Sequence, residues 1–174
     1  EMCIRDREYT VEAGRPDSIT REKLQVMKEF PVTRISVNPQ TMNQKTLDVI
    51  GRKHTVEEIK EAYALARKTG FDNINMDIIA GLPGEDISDM EDTLAQIAQM
   101  HPDSLTVHSL AIKRAARMEM EDLNRDAKET HEILSGMIER AAKAAKEMDL
   151  FPYYLYRQKN IAGNFENVGY AKVD

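Results

Sequence analysis

Cysteine is nearly absent from this sequence: Cys3 is the single one among 174 residues. A disulfide within the chain is therefore excluded, and a reducing, cytoplasmic setting is predicted. One thiol also cannot ligate an iron–sulfur cluster unaided. No apolar run approaches the roughly 20 residues that a membrane-spanning helix needs, and no signal peptide is apparent.

The sequence also lacks an excess of basic residues. Acidic residues outnumber basic ones by 30 to 24, which gives a net charge of −6. Because polyanions would not be attracted to such a chain, neither nucleic acid nor an anionic membrane is predicted as a partner. The hydrophobic fraction of 41% is enough for a real core. The length fits one domain, or part of a larger one.

The order of strands and helices predicts an α/β fold. Strand-like segments begin near residues 8, 34, 73 and 104, and each precedes a segment with helical spacing. Capping-box spacing in Thr55-Val-Glu-Glu58 and Ser88-Asp-Met-Glu91 predicts two helix starts. A long helix is predicted over 130–148, and no helical period is found after it. Such βα units form a parallel sheet, either in a barrel or in a doubly wound layer.

Four strands are too few for a closed barrel, and the first would leave a bare sheet edge. The sequence therefore predicts an incomplete parallel (β/α) barrel of about four βα units plus a C-terminal extension. Its beginning is predicted to be missing. The expected divisions are a non-native or linker remnant (1–7), the partial barrel (8–129), and the long helix with its extension (130–174).

Asp77 is the most informative single residue. It lies in Asn-Met-Asp-Ile-Ile-Ala-Gly-Leu-Pro-Gly-Glu-Asp, residues 75–86, where a buried strand is predicted to enter a glycine turn and then a helix. A carboxylate in such an apolar run is costly unless something pairs with it. It is tolerated where the carboxyl end of a strand meets a ligand. The structural alternative is that Asp77 caps the turn or accepts from a backbone N–H.

Other polar residues are predicted at the same rim of the sheet. Glu12 ends the first strand, Gln40 follows the second, and Arg52 enters through the next loop. With Asp77 they would suit a zwitterionic ligand that carries a sugar. Taken singly, Gln40 also fits a turn residue and Arg52 a solvated loop cation. The four histidines show no metal-ligand spacing and are predicted to be structural or superficial.

Several motifs, in chain order, resemble the later part of the radical S-adenosylmethionine (SAM) domain of oxygen-independent coproporphyrinogen III oxidases. They are Thr10-Val-Glu-Ala-Gly-Arg-Pro16, Arg34-Ile-Ser-Val-Asn-Pro-Gln40, Ile50-Gly-Arg-Lys-His54, Asn75-Met-Asp-Ile-Ile-Ala-Gly-Leu-Pro83 and His101-Pro-Asp-Ser-Leu-Thr-Val107. Residues 153–164 and 166–170 resemble the continuation found in its coproporphyrinogen dehydrogenase (HemZ-like) branch. The likeness covers residues 7–174.

The resemblance implies a radical SAM (β/α)6 partial barrel with two cofactors, S-adenosylmethionine and a [4Fe-4S] cluster. In the family, SAM cleavage yields a radical that abstracts hydrogen from a porphyrinogen propionate, and an electron donor is needed. The family's Cys-x3-Cys-x2-Cys cluster motif has no counterpart here. Residues 1–6 also do not read as a natural continuation of the family. This chain by itself is therefore predicted to hold no cluster and to be inactive.

The resemblance also implies roles for individual residues. The cofactor-binding set is Glu12, Gln40, Arg52, Asp77, Ile79 and Ala111. Within it, Arg52 would bind the methionyl carboxylate, and Asp77 or Glu12 the ribose or amino group. Ile79 and Ala111 would line the adenine pocket. Lys113 and Arg114 would contact substrate propionates, or alternatively form a solvated loop pair.

Two other functions stay open. A related radical SAM protein could act on another substrate, as a haem chaperone or in methyl transfer. A complete, non-catalytic α/β binding module is the alternative from a different class. A strand formed by residues 1–7 beside the first predicted strand would favour that alternative.

Overall fold

The computed structural model describes residues 8–110, 127–156 and 167–173. The strands are β1 (Thr10–Gly14), β2 (Arg34–Gln40), β3 (Ile74–Ala80), β4 (Ser104–Ser109), β5 (Phe151–Tyr156) and β6 (Asn167–Ala171). The helices are α1 (Arg21–Glu29), α2 (Gln44–Val49), α3 (Val56–Lys68), α4 (Ile87–Met100) and α5 (Ala127–Glu147), with a 3₁₀ turn at Pro16–Ser18. Among the described helices, none combines the length and apolar character needed to cross a membrane.

The strand order distinguishes between the two predicted architectures. The sheet runs β1-β2-β3-β4-β6-β5, and its first four strands are parallel and in chain order. A doubly wound sheet needs a reversal of strand order to place helices on both faces, and β1 to β4 show none. With right-handed crossovers the helices all cover one face, as in a barrel. The predicted α/β partial barrel is confirmed.

The C-terminal segment contributes two strands that the sequence did not predict. β6 pairs antiparallel with β4, and β5 pairs antiparallel with β6 at the edge of the sheet. Every residue of β5 is exposed. Because neither face of β5 is buried, its sequence carries no alternation of apolar and polar residues.

One predicted helix start is displaced. Thr55 and Glu58 form the expected capping box at α3. At α4, however, the N-cap is Asp86 and not Ser88: the Asp86 carboxylate accepts from the backbone N–H of Ser88 and of Asp89. The side chain of Asp89 accepts from the Asp86 N–H in return. Asp86-Ile-Ser-Asp89 has the same spacing as the predicted box, and an aspartate caps as well as a serine does.

The core lies between the sheet and the helices. Alternate residues of the central strands face it, and all are at most 3% exposed: Ile35 and Val37 in β2, Met76 and Ile78 in β3, and Leu105 and Val107 in β4. Helix residues complete the cluster, among them Leu47, Ile59, Leu94, Ile97 and Met137. The residues between them in each strand point to the opposite face, which carries polar side chains.

That opposite face is concave. Arg34 of β2 lies with its guanidinium carbon 5.5 Å from the centre of the Tyr153 ring in β5. β3, β4 and β6 lie between these two strands in the sheet. In a flat sheet, strands four places apart would be separated by about 19 Å. The sheet therefore curves toward a barrel, and the polar side chains lie inside the curve.

Candidate functional site

A chain of side-chain hydrogen bonds crosses the concave face, and we call it the polar ladder. At its first end, Nδ2 of Asn38 donates to Glu12 Oε2 over 3.1 Å. The hydroxyl of Ser36 donates to Asn38 Oδ1 over 2.9 Å and accepts from Asn75 Nδ2 over 2.9 Å. The bonds join β1, β2 and β3 because parallel register sets Glu12 beside Ser36 and Ser36 beside Asn75.

Asn75 is the junction of the polar ladder. Its Nδ2 also donates to Asp77 Oδ1, and its Oδ1 accepts from the Thr106 hydroxyl of β4 over 3.0 Å. The side-chain amide thus uses both N–H groups and its carbonyl, and the residue is only 4% exposed. An amide bonded in this way has one orientation, so it fixes the position of the Asp77 carboxylate.

Asp77 contacts side chains on this face, in place of the turn cap or backbone N–H of the structural alternative. Its second oxygen, Oδ2, lies 3.7 Å from Nε2 of His108 in β4. That distance is too long for a hydrogen bond. The side chain of Asp77 is 13% exposed and that of His108 is 40% exposed. The carboxylate therefore lies beneath an accessible imidazole.

Two more of the predicted cofactor residues share this face. Glu12 is exposed, and its carboxylate is joined to Asp77 through the polar ladder. Ile79 is half-buried and pairs in register with His108, two residues beyond Asp77 along β3. Glu12, Asp77 and Ile79 thus combine acceptor oxygens with an apolar surface on one concave face.

Gln40 is the last residue of β2, and Arg52 lies in the loop that follows α2; neither makes a hydrogen bond of the polar ladder. Gln40 is 9% exposed and has a left-handed backbone, with φ at 73°. Arg52 is half-buried in the loop after α2, and its guanidinium makes no hydrogen bond or ion pair within the described ranges. His54 follows in the same loop, fully buried near the carbonyl of Pro39, and burial lowers its pKa. The loop therefore packs against the end of β2.

The predicted residues Ala111, Lys113 and Arg114 lie outside the part of the chain that the structure describes. Their roles stay predictions.

A buried acid that the sequence analysis missed supports the turn between β3 and α4. Glu85 is 3% exposed, and the Thr41 hydroxyl donates to its Oε1 over 2.7 Å. Burial raises the pKa of Glu85, although hydrogen bonds from Thr41 and Thr46 oppose the shift. Thr41 follows Gln40 directly, so Glu85 ties the turn after β3 to the end of β2. Glu85 could have been identified from the sequence by its position in Gly-Leu-Pro-Gly-Glu, directly after the predicted strand.

The raised pKa of Glu85 predicts how stability depends on pH. Above its ordinary value of 4.5, the native state keeps a proton that the unfolded chain has lost, so stability falls as pH rises toward the native pKa. Glu85→Gln cannot ionise and should flatten this slope in urea unfolding measured at several pH values. Glu61→Gln, an exposed change on α3, is the control and should leave the slope unchanged. Equal slopes in wild type and Glu85→Gln would contradict the prediction.

The residues that the structure describes do not fit an iron–sulfur cluster. Across residues 8–110, 127–156 and 167–173, no group of three His, Cys, Asp or Glu could hold a metal ion. Cys3 is the single cysteine of the sequence. On the concave face, Asp77 Oδ2 and Glu12 offer acceptor oxygens for hydroxyl or amino groups, beside the apolar Ile79.

Comparisons with known proteins show which family this chain is similar to. The chain is 51% identical over 165 residues to the oxygen-independent coproporphyrinogen-III oxidase-like protein HemZ of Bacillus subtilis, covering 95% of this chain and 33% of that one. It is 34% identical over 106 residues to the heme chaperone HemW of the same organism, covering 61% of this chain and 28% of HemW. The chain thus spans about a third of the length of these relatives.

A solved structure shares the fold. Coproporphyrinogen III oxidase HemN from Escherichia coli superimposes with a TM-score of 0.71 at 18% identity, covering 95% of this chain and 35% of that one. The model of the radical SAM superfamily matches residues 3–97, more than half of the sequence. With its parallel βα units and acid-lined concave face, this chain belongs to the radical SAM superfamily.

Proposed function

We propose that this chain forms the SAM-holding part of a cytoplasmic enzyme similar to oxygen-independent coproporphyrinogen III oxidase. Such an enzyme oxidatively decarboxylates porphyrinogen propionates in haem biosynthesis. The likeness to HemZ over nearly the whole chain supports the substrate class. One structural observation supports the proposed binding of SAM. The Asn75 amide donates to Asp77 Oδ1, and Asp77 Oδ2 is left facing the concave side.

The residues would act by positioning the cofactor. Asp77 accepts from a ribose hydroxyl, Glu12 accepts from the amino group, and Arg52 pairs with the carboxylate of the methionyl end. Ile79 and Ala111 cover the adenine ring, and the buried Gln40 fixes the end of β2 beside it. Together with a reduced cluster, SAM supplies the hydrogen abstraction from substrate, while the protein orients the groups and excludes water.

The substrate would enter on the same rim. A porphyrinogen carries several carboxylates, so cations beside the cofactor are needed to hold it. Lys113 and Arg114 come four and five residues after the end of β4 in the sequence and are proposed to contact these propionates. The electrons would come from a separate donor.

Ligand binding to the purified chain tests this proposal. S-adenosylhomocysteine has the same adenosyl and amino acid groups as SAM but is chemically stable, and calorimetry should detect its saturable binding. Anaerobic reconstitution with iron and sulfide should leave no bound [4Fe-4S] cluster, since the cluster ligands have to come from outside this chain. Absence of binding would contradict the proposed pocket. A cluster bound to this chain would overturn its proposed dependence on outside ligands.

A haem chaperone is the second candidate, because the chain is 34% identical to HemW over 61% of its length. Haem binds proteins through axial ligands such as histidine, and binding shifts its main absorption band. Titration of the chain with haem would favour this candidate if a saturable shift appeared. It would favour the oxidase-like proposal if S-adenosylhomocysteine bound and haem did not.

A further inference from the structure

We infer that His108 is a further ligand-binding residue, which together with Asp77 holds one ribose hydroxyl of the adenosyl ligand. The inference deepens the proposed function and depends on the adenosyl site proposed there. It gives this site a means of distinguishing a ribose from a deoxyribose.

The spacing of the two groups fits one hydroxyl. Asp77 Oδ1 is held by Asn75, whereas Oδ2 has no hydrogen bond within the described part of the chain. His108 Nε2 lies 3.7 Å away from Oδ2. An oxygen placed about 2.8 Å from both atoms spans this gap with ordinary hydrogen-bond lengths. The hydroxyl would donate to the carboxylate and accept from the imidazole N–H.

The position of His108 in the sheet suits this role. In the register of β3 with β4, Asp77 pairs with Thr106 and Ile79 pairs with His108. The imidazole therefore lies two residues nearer than Asp77 to the carboxyl end of the strands, where ligands of parallel sheets bind. It lies at the level of Ile79, which is proposed to contact adenine. A ribose attached to that adenine would reach the gap between His108 and Asp77.

A purely structural pairing explains the geometry less well. Asp77 already accepts from a buried amide, so it does not need the imidazole as its hydrogen-bond partner. An imidazole that served only to neutralise the carboxylate would be expected at about 2.7–3.0 Å from it. The observed pair is wider, and the His108 side chain is 40% exposed on the concave face.

The test compares S-adenosylhomocysteine with its 2′-deoxy and 3′-deoxy analogues, all titrated into the complete 174-residue chain. At least one deoxy analogue should bind about tenfold more weakly than the ribose form, the loss expected for one hydrogen bond that leaves a polar partner unpaired. His108→Leu removes the donor and should reduce this preference to the part that Asp77 alone contributes. His108→Gln keeps an N–H near the place of Nε2 and should retain most of it.

His101→Asn is the matched control. His101 precedes the same strand at the opposite end of the sheet, and its left-handed backbone, with φ at 53°, suits asparagine. The control should bind all three ligands as the wild type does. Equal effects of His108→Leu and His108→Gln on the ribose preference would overturn the inference and leave the adenosyl site standing. Equal binding of the three ligands by wild type would overturn the inference together with the ribose role of Asp77. Absence of any binding by wild type would overturn both proposals.

Discussion

Ile78→Ala should lower the free energy of unfolding by about 2–5 kcal/mol, the largest stability effect expected in this chain. Ile78 lies in the central strand β3, is fully buried, and faces the helices. Alanine would remove three carbons and leave a cavity that rigid neighbours on both sides can fill only in part. For a chain of this size the loss corresponds to a melting temperature lower by roughly 4–20 °C.

Ile79→Ala provides the control from the next position in the same strand. Ile79 points to the concave face and is half-buried, so its truncation should cost at most about 1 kcal/mol. It should instead weaken adenosyl binding, since Ile79 is proposed to contact adenine. Urea unfolding and ligand titration of both variants separate the two roles. Equal destabilisation by the two changes would contradict the assignment of opposite faces.

Asp77→Asn should weaken binding of S-adenosylhomocysteine by about 10- to 150-fold, the largest binding effect expected. Hydrogen bonds to a charged partner contribute about 1.5–3 kcal/mol, and the amide keeps the shape but loses the charge. Its Oδ1 can still accept from Asn75, so the fold should change little. Calorimetric titration measures the affinity, and circular dichroism checks the fold.

Asp72→Asn is the matched control for this change. Asp72 is exposed and precedes β3 at the end of the strand away from the proposed site. Affinity for S-adenosylhomocysteine should therefore equal that of the wild type. An Asp77→Asn variant that also bound like the wild type would remove the central residue of the proposed pocket.

The architecture was largely predictable because local signals agreed with one another. Thr55 with Glu58 set a helix start, the apolar run around Asp77 indicated a buried strand, and the repeated βα order set a parallel sheet. β5 could not be found in this way, since every one of its residues is exposed. Its pairing with β6 is also a tertiary feature that no short window of sequence contains.

The sequence singled out the two acids of the candidate site, but not the hydrogen bonds that join them. Asp77 is conspicuous because a charge interrupts an apolar strand. The Asn75 amide is not, because its partners Ser36 and Thr106 are 39 and 31 residues away along the chain. Strand register alone brings them together. His108 was predicted to be structural or superficial for the same reason: nothing near it in sequence indicates that it faces Asp77.

The exposed edge strand β5 has a practical consequence for experiments on this chain. Its sequence, Phe-Pro-Tyr-Tyr-Leu-Tyr, contains no charge, and Phe151, Tyr153, Tyr154, Leu155 and Tyr156 are each 48–60% exposed. Natural sheets protect such edges with lysine, with covering segments or by closing into a barrel, because unpaired backbone groups can pair with a strand of another molecule. We therefore expect self-association through β5 at high protein concentration, and a lysine substitution in β5 should reduce it.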